Sequence, residues 1–67
     1  MSVARITEIT ATSTKGFEEA IKSGVNRATK TLKNVKGAWV NGMKVDVENG
    51  KIRSYRVAMK ITFVLED

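Results

Sequence analysis

The chain has 67 residues, and its 12 Lys and Arg residues outnumber its 7 Asp and Glu residues, which gives a formal net charge of +5 at pH 7. This length predicts a single domain, residues 1–67, and a domain of about this size buries only roughly 60% of the surface that its unfolded form exposes. The absence of Cys and His excludes disulfides and the common zinc sites, so self-assembly is left as the means of completing a small core.

The first predicted element is a strand over residues 3–10. Apolar and polar side chains alternate loosely along it, and it is rich in β-branched residues, a pattern typical of strands. Hydroxyl side chains follow at residues 10–14 and can bond to the free N–H groups at the start of a helix. We expect Ser13 or Thr14 to be the helix N-cap.

A helix of about five turns is predicted from Phe17 to Gly37. Gly24 in its interior costs up to about 1 kcal/mol relative to Ala, which indicates either a close backbone approach or a tolerated defect. Gly37 follows Lys33 and Lys36 and is expected to end the helix. The apolar stripe recurs every three or four residues, at Phe17, Ala20, Ile21, Val25, Ala28, Leu32 and Val35.

Residues 38–65 are predicted to form one long hairpin around Asn49-Gly50, because a type I′ turn needs positive φ at both central residues. A two-residue turn sets the register. It predicts the pairs Glu48–Lys51, Val45–Ser54, Met43–Arg56, Asn41–Ala58 and Trp39–Lys60.

In this register Trp39 points away from the helix. The face toward the helix is the more apolar one, and a bulge at Gly42 would reverse the faces of the residues beyond it, among them Met43 and Val45. The residues expected to face the helix are Ala38, Val40, Gly42, Lys44, Tyr55, Val57, Met59, Ile61, Phe63 and Leu65.

The order of elements predicts an α+β fold of β-α-β-β topology, with a three-stranded antiparallel sheet wrapped around one helix. One helix cannot cover strands of a dozen residues, so we expect neighbouring copies to cover the other face in a symmetric homo-oligomer. A large aromatic residue on that face, Trp39, indicates a subunit contact or a platform for a ligand.

Several function classes fit the composition poorly. No apolar run is long enough to span a bilayer and residues 1–5 lack the pattern of a signal peptide, so we expect a cytoplasmic protein with no membrane partner. General acid-base and nucleophilic catalysis lack their usual residues, which argues against an enzyme. The basic residues follow Glu18 and Glu19 along the helix, as its dipole favours, and so argue against a nucleic-acid site: Lys22, Arg27, Lys30, Lys33 and Lys36.

One set of residues spans nearly the whole chain in a recognisable order and spacing: Thr10 to Ser13, Phe17, Ala20, Arg27, Ala28, Thr31, Asn34, Val35, Tyr55, Val57 and Phe63 to Leu65. This pattern resembles that of the dodecins, small flavin-binding proteins in which twelve subunits form a hollow shell. The resemblance implies the same bent sheet around one helix and the same homododecamer.

The resemblance also implies a flavin site, from which the chain departs at two positions. In flavin-binding dodecins a Trp at the start of the second strand stacks on the isoalloxazine ring, and a Gln on the third strand bonds its polar edge. An ungapped alignment places Gly37 and Arg56 at these positions, so the chain resembles a divergent member. Trp39 could stack in a shifted pose, or pair with Arg56 and fill the space. With Asn41 on the same predicted face, these four residues are the candidate ligand-binding set.

Three functions therefore stay open. The first is a non-enzymatic dodecin-like shell that binds or stores a flavin (FMN, riboflavin or FAD) or a related planar or anionic ligand between subunits. The second is such a shell that has lost flavin and is structural, or binds calcium or coenzyme A, as some family members do. The third, a basic nucleic-acid-binding protein, is less favoured than these two, and an enzyme is the least favoured function.

Overall fold

The computed structural model describes residues 3–65. In chain order they form strand β1 (Val3–Ser13), helix α1 (Phe17–Thr31), strand β2 (Val35–Glu48) and strand β3 (Lys51–Leu65). Strand β3 is central, antiparallel to β1 on one side and to β2 on the other. This arrangement confirms the predicted β-α-β-β topology with one three-stranded antiparallel sheet and one helix.

Helix α1 begins at Phe17 as predicted, but its N-cap residue and its C-terminal end differ from the sequence prediction. Gly16 is the N-cap residue and gives no side-chain cap, while the Ser13 hydroxyl accepts a bond from the backbone N–H of Lys15 at 2.9 Å. The predicted Ser13 or Thr14 cap is therefore wrong. The helix has 15 residues, about four turns.

The helix ends six residues before Gly37, because the chain turns at Asn34. This residue has φ of 60°, a left-handed conformation that Asn tolerates better than most residues. Its carbonyl accepts the N–H of Val64 at 3.0 Å, and its side-chain amide lies 3.4 Å from the Val64 carbonyl. These contacts hold the chain against β3, so Lys36 and Gly37 lie in β2.

The two faces of the sheet are distinguished by the helix. We call the side that contacts α1 the helix face and the opposite side the outer face. On the helix face, Val57, Met59 and Ile61 of β3 are fully buried against Ala20 and Ala28 of the helix. Because side chains alternate along a strand, the even-numbered residues of β3 lie on the outer face.

Gly24 marks a close approach of helix and sheet rather than a tolerated defect. It is buried in the middle of α1. A Cβ atom at this position would overlap Met59 Cε and would lie 3.1 Å from Ala11 Cβ. The absence of a side chain therefore lets the helix lie directly on β1 and β3.

The hairpin turn has the predicted geometry, with φ of 54° at Asn49 and 75° at Gly50. Glu48 lies opposite Lys51 and Trp39 opposite Lys60, as predicted. The three predicted pairs between them are wrong. Their observed counterparts are Val45–Tyr55, Met43–Val57 and Gly42–Ala58.

Two bulges explain this difference. Arg53 has no partner on β2, which shifts the register by one residue, and Asn41 has no partner on β3, which shifts it back. Between the bulges the faces are reversed relative to the prediction, since a shift by one residue exchanges them. Gly42 and Lys44 therefore lie on the outer face, while Met43 and Val45 lie on the helix face.

Candidate ligand site on the outer face of the sheet

The residues on the outer face form rows across the sheet. Each row consists of three cross-strand neighbours, one each from β1, β3 and β2. The register of the two strand pairs fixes the members of each row. Four consecutive rows are Ile6–Thr62–Gly37, Glu8–Lys60–Trp39, Thr10–Ala58–Gly42 and Thr12–Arg56–Lys44.

Trp39 lies on this face, as predicted, and its side chain is 65% exposed. The nearest strand-paired outer-face positions on β2 are Gly37 and Gly42, and the unpaired Asn41 lies between Trp39 and Gly42. A Cβ atom at Gly37 would meet nothing within 4 Å. On the side of Gly37 the indole therefore has space beside it for a planar group about the size of a second ring.

The cation that contacts the indole is Lys60, whose Nζ lies 5.5 Å from the ring centroid. This distance is within the range of a cation–π interaction. Within one subunit the cation over Trp39 is therefore Lys60 and not Arg56. The sequence predicts Lys60 only as the register partner of Trp39. That predicted pairing is the signal from which its contact with the indole could have been inferred.

Arg56 instead belongs to a charged cluster centred on Asp46. Its Nη2 lies 3.5 Å from Asp46 Oδ2, and the Nζ of Lys44 lies 3.9 Å from Oδ1. The Ser54 hydroxyl donates to Oδ2 at 2.8 Å. This hydrogen bond, followed by the two cations, lowers the pKa of the Asp46 carboxyl from its usual value, although partial desolvation opposes the shift.

A depression of about 210 Å³ lies between the row of Trp39 and this cluster. Gly42 and Ala58 form part of it because their small side chains leave space above the sheet. Lys44 and Arg56 also line it. An anionic group placed there would meet two cations that share the single negative charge of Asp46.

The four predicted site residues do not form one compact cluster within a chain. Gly37 and Trp39 lie in adjacent rows, and Asn41 is the unpaired bulge residue that follows. Arg56 is four residues from Lys60 along β3, so its row is about 13 Å from that of Trp39. A single stacked ring cannot contact both residues within one subunit.

A second, larger groove of about 460 Å³ lies between α1 and the edge strand β1. Its walls include Ile9, Ala28 and Leu32, with Arg27 as its cation. None of the predicted site residues lines it. The groove lies beside an edge strand with free backbone groups, which is a place where another chain can pack.

Within residues 3–65, no helix is both long and apolar enough to cross a membrane. Over the same range, no three His, Cys, Asp or Glu side chains are grouped so that they could hold a metal ion.

The fold and this face define a class: a small α+β protein whose single helix covers one side of an antiparallel sheet, while the other side presents an exposed aromatic residue among cations. A family model described as dodecin matches residues 3–66. The chain belongs to the dodecin family, as the sequence resemblance predicted.

Solved structures agree with this assignment. The dodecin from Streptomyces davaonensis is 35% identical, with a TM-score of 0.93 over 98% of this chain and 97% of that one. An arginine-to-alanine mutant of the T. thermophilus dodecin is 28% identical, with a TM-score of 0.94 over all of both chains.

A third structure is the calcium-chelating immunodominant antigen, calcium dodecin, of Mycobacterium tuberculosis. It is 29% identical, with a TM-score of 0.84 over 97% of this chain and 93% of that one. Comparison with curated proteins finds no match.

Proposed function

We propose that this dodecin-family chain is a non-enzymatic, homo-oligomeric protein that holds a flavin, or another planar ligand with an anionic group, on its outer face between subunits. The observation that carries the proposal is the exposed indole of Trp39 beside Gly37, where even a Cβ atom would meet nothing within 4 Å. Such an arrangement leaves the area of one ring uncovered, and stacking on it contributes about 1–3 kcal/mol per base-like ring.

The charges along the same face support a ligand with an anionic group. Beyond Trp39, the depression over Gly42 and Ala58 leads to Lys44 and Arg56. A planar ligand with an extended acidic tail, such as FMN, would place its ring on Trp39 and its phosphate at these cations. Charge-assisted hydrogen bonds of this kind are roughly twice as strong as neutral ones.

Self-assembly is supported by the small core and by the apolar surface outside it. Among residues 3–65, three large side chains are fully buried, those of Val57, Met59 and Ile61. Exposed large apolar side chains lie at both ends of the sheet, and the family resemblance implies twelve copies. These side chains are 40–65% exposed: Val3, Ile6, Trp39, Met43, Val47, Ile52 and Leu65.

A flavin fluorescence titration tests the ligand proposal. Riboflavin and FMN are titrated with wild type and Trp39→Ala, and loss of one stacking partner should weaken binding by roughly 5- to 150-fold, from about 1–3 kcal/mol. Arg56→Met should weaken FMN more than riboflavin, because only FMN carries a phosphate. Equal affinity of wild type and Trp39→Ala would remove Trp39 from the site.

Size-exclusion chromatography with native mass spectrometry tests the assembly. Twelve copies of a 7.4-kDa chain correspond to about 89 kDa. Val47, 63% exposed beside Ile52 near the hairpin turn, is the residue we expect at a subunit contact. Val47→Asp should dissociate the assembly, because burial of an unpaired carboxylate is costly, whereas Val47→Thr should not. A wild-type monomer would contradict self-assembly itself.

Calcium binding is the second candidate, and the observation that favours it is the likeness to the calcium dodecin of M. tuberculosis. A ligand that binds the native state raises the melting temperature in proportion to the logarithm of its concentration once its site is saturated. Calcium should then raise the melting temperature while magnesium does not. An unchanged melting temperature at millimolar calcium would reject this candidate.

A further inference from the structure

The position of Lys60 supports an inference about ligand selectivity, which rests on the function proposed above. Lys60 is the central residue of the row Glu8–Lys60–Trp39 and lies on the middle strand of the sheet. It is half-buried, and its ammonium group is 5.5 Å from the centroid of the indole. A ring that stacks on Trp39 must therefore either displace this ammonium group or bind beside it.

We propose that Lys60 is a specificity-determining residue, which makes the site select planar ligands that carry negative charge on or next to the ring over neutral planar ligands. A neutral ring that takes the place of the ammonium group loses the cation–π interaction without replacing it. An anionic ring substituent instead offers the displaced ammonium group a partner at the edge of the indole, with a charge-assisted hydrogen bond.

The residues around Lys60 determine where on the ligand the negative charge must lie to be recognised by Lys60. Among the strand-paired residues of its own row and the two flanking rows, Lys60 is the single cation, and Lys36 is the unpaired residue that precedes Gly37 on β2. The other paired members are Ile6, Thr62, Gly37, Glu8, Trp39, Thr10, Ala58 and Gly42. Arg56 and Lys44 lie one row further on and are within reach of Asp46. Charge on the ring is therefore recognised by Lys60, whereas charge on a long tail is recognised by the Asp46 cluster.

Glu8 adds direction to this selection. It is the β1 neighbour of Lys60 on the same face, so an acidic residue stands on the β1 side of Lys60 and Trp39 on the β2 side. Repulsion from Glu8 disfavours an anionic group over β1. The charged substituent should then point across β3 toward β2, with the ring over Trp39.

Two ligands that differ in one carboxylate test the proposal. Lumiflavin is a neutral tricyclic ring, and 3-carboxymethyl-lumiflavin carries a carboxylate close to the same ring; neither has a long tail. Trp39 is the only tryptophan of the chain, so its fluorescence reports binding directly. We expect the assembled wild type to bind the carboxylate about tenfold more tightly, a difference of about 1.4 kcal/mol.

Lys60→Met keeps the length of the side chain without its charge, and Lys60→Arg keeps the charge. The ratio of the two dissociation constants should fall to about one in Lys60→Met and return in Lys60→Arg, while lumiflavin itself binds Lys60→Met at least as well as wild type. Lys51→Met, at the hairpin turn, removes the same charge far from the indole and should leave the ratio unchanged.

The outcomes separate this inference from the function on which it rests. Binding of both ligands to wild type without a charge preference, or a preference that Lys60→Met retains, overturns the role of Lys60 and leaves the planar-ligand site standing. Binding of neither ligand overturns both. If the ratio of the two dissociation constants falls equally in Lys51→Met, the preference for the carboxylate comes from the net charge of the protein. That result would also overturn the role of Lys60.

Discussion

Gly37→Trp provides a demanding test of the ligand site, because it places an aromatic side chain where the family resemblance implies the stacking tryptophan. The position accepts it without a clash: a Cβ atom there meets nothing within 4 Å, and the residue is not in the positive-φ region. Thr62 is its neighbour on β3, and Trp39 lies one row away. A large ring at residue 37 would thus stand on the outer face beside the existing indole.

The expected gain in ligand affinity follows from the stacking area that the new indole ring at residue 37 adds. Stacking contributes about 1–3 kcal/mol per base-like ring, which corresponds to roughly 5- to 150-fold tighter binding. The assay is a riboflavin fluorescence titration of wild type, Gly37→Trp and Gly37→Ser, the last of which removes the glycine without adding a ring. Equal affinities of the Trp and Ser variants would refute the reasoning, because residue 37 would then lie outside the space that a ligand occupies.

Two further predictions concern stability. Gly24→Ala gains up to about 1 kcal/mol in helix propensity, but its methyl group meets the buried end of Met59, and overpacking costs about 1–3 kcal/mol; urea unfolding should show a net loss, and a gain would mean that Met59 moves aside freely. Asp46→Asn should lower the melting temperature at pH 7, because the bond from Ser54 and the charge of Arg56 lower the pKa of Asp46. That contribution is complete above the usual pKa of 3.8 and is lost as pH falls through the lower folded value, so the two melting curves should converge below about pH 3.8; a difference independent of pH would contradict it.

The parts of the fold that follow local rules could be predicted from the sequence. Asn49-Gly50 defines the turn because few other pairs adopt two positive φ values, and the apolar period of the helix starts correctly at Phe17. The end of the helix could not be predicted in this way. Asn34 turns the chain through bonds to Val64, 30 residues away in the sequence, and no local pattern contains that contact.

The candidate site shows the same division. The prediction places Trp39 on the correct face because the two bulges cancel. The extra residue Arg53 in β3 shifts the register by one, and the extra residue Asn41 in β2 shifts it back, so the predicted pairing holds again at Trp39. Between these bulges the prediction was wrong for Lys44, and it therefore missed the cluster with Asp46. A glycine such as Gly42 indicates that a bulge is possible on β2. The bulge on β3 is at Arg53, and an arginine gives no such indication.

The separation of Trp39 and Arg56 connects ligand binding to assembly. Both side chains lie on the outer face, but their rows are about 13 Å apart along β3. A compact ring that contacts both must take them from different copies, whereas a ligand with a tail can take both from one copy. In the first case the free energy of ligand binding also stabilises the interface, because the site exists only in the assembled state. A compact ligand such as lumiflavin, which lacks the ribityl tail, would then strengthen the proposed assembly, and FMN would bind even a dissociated subunit through its tail.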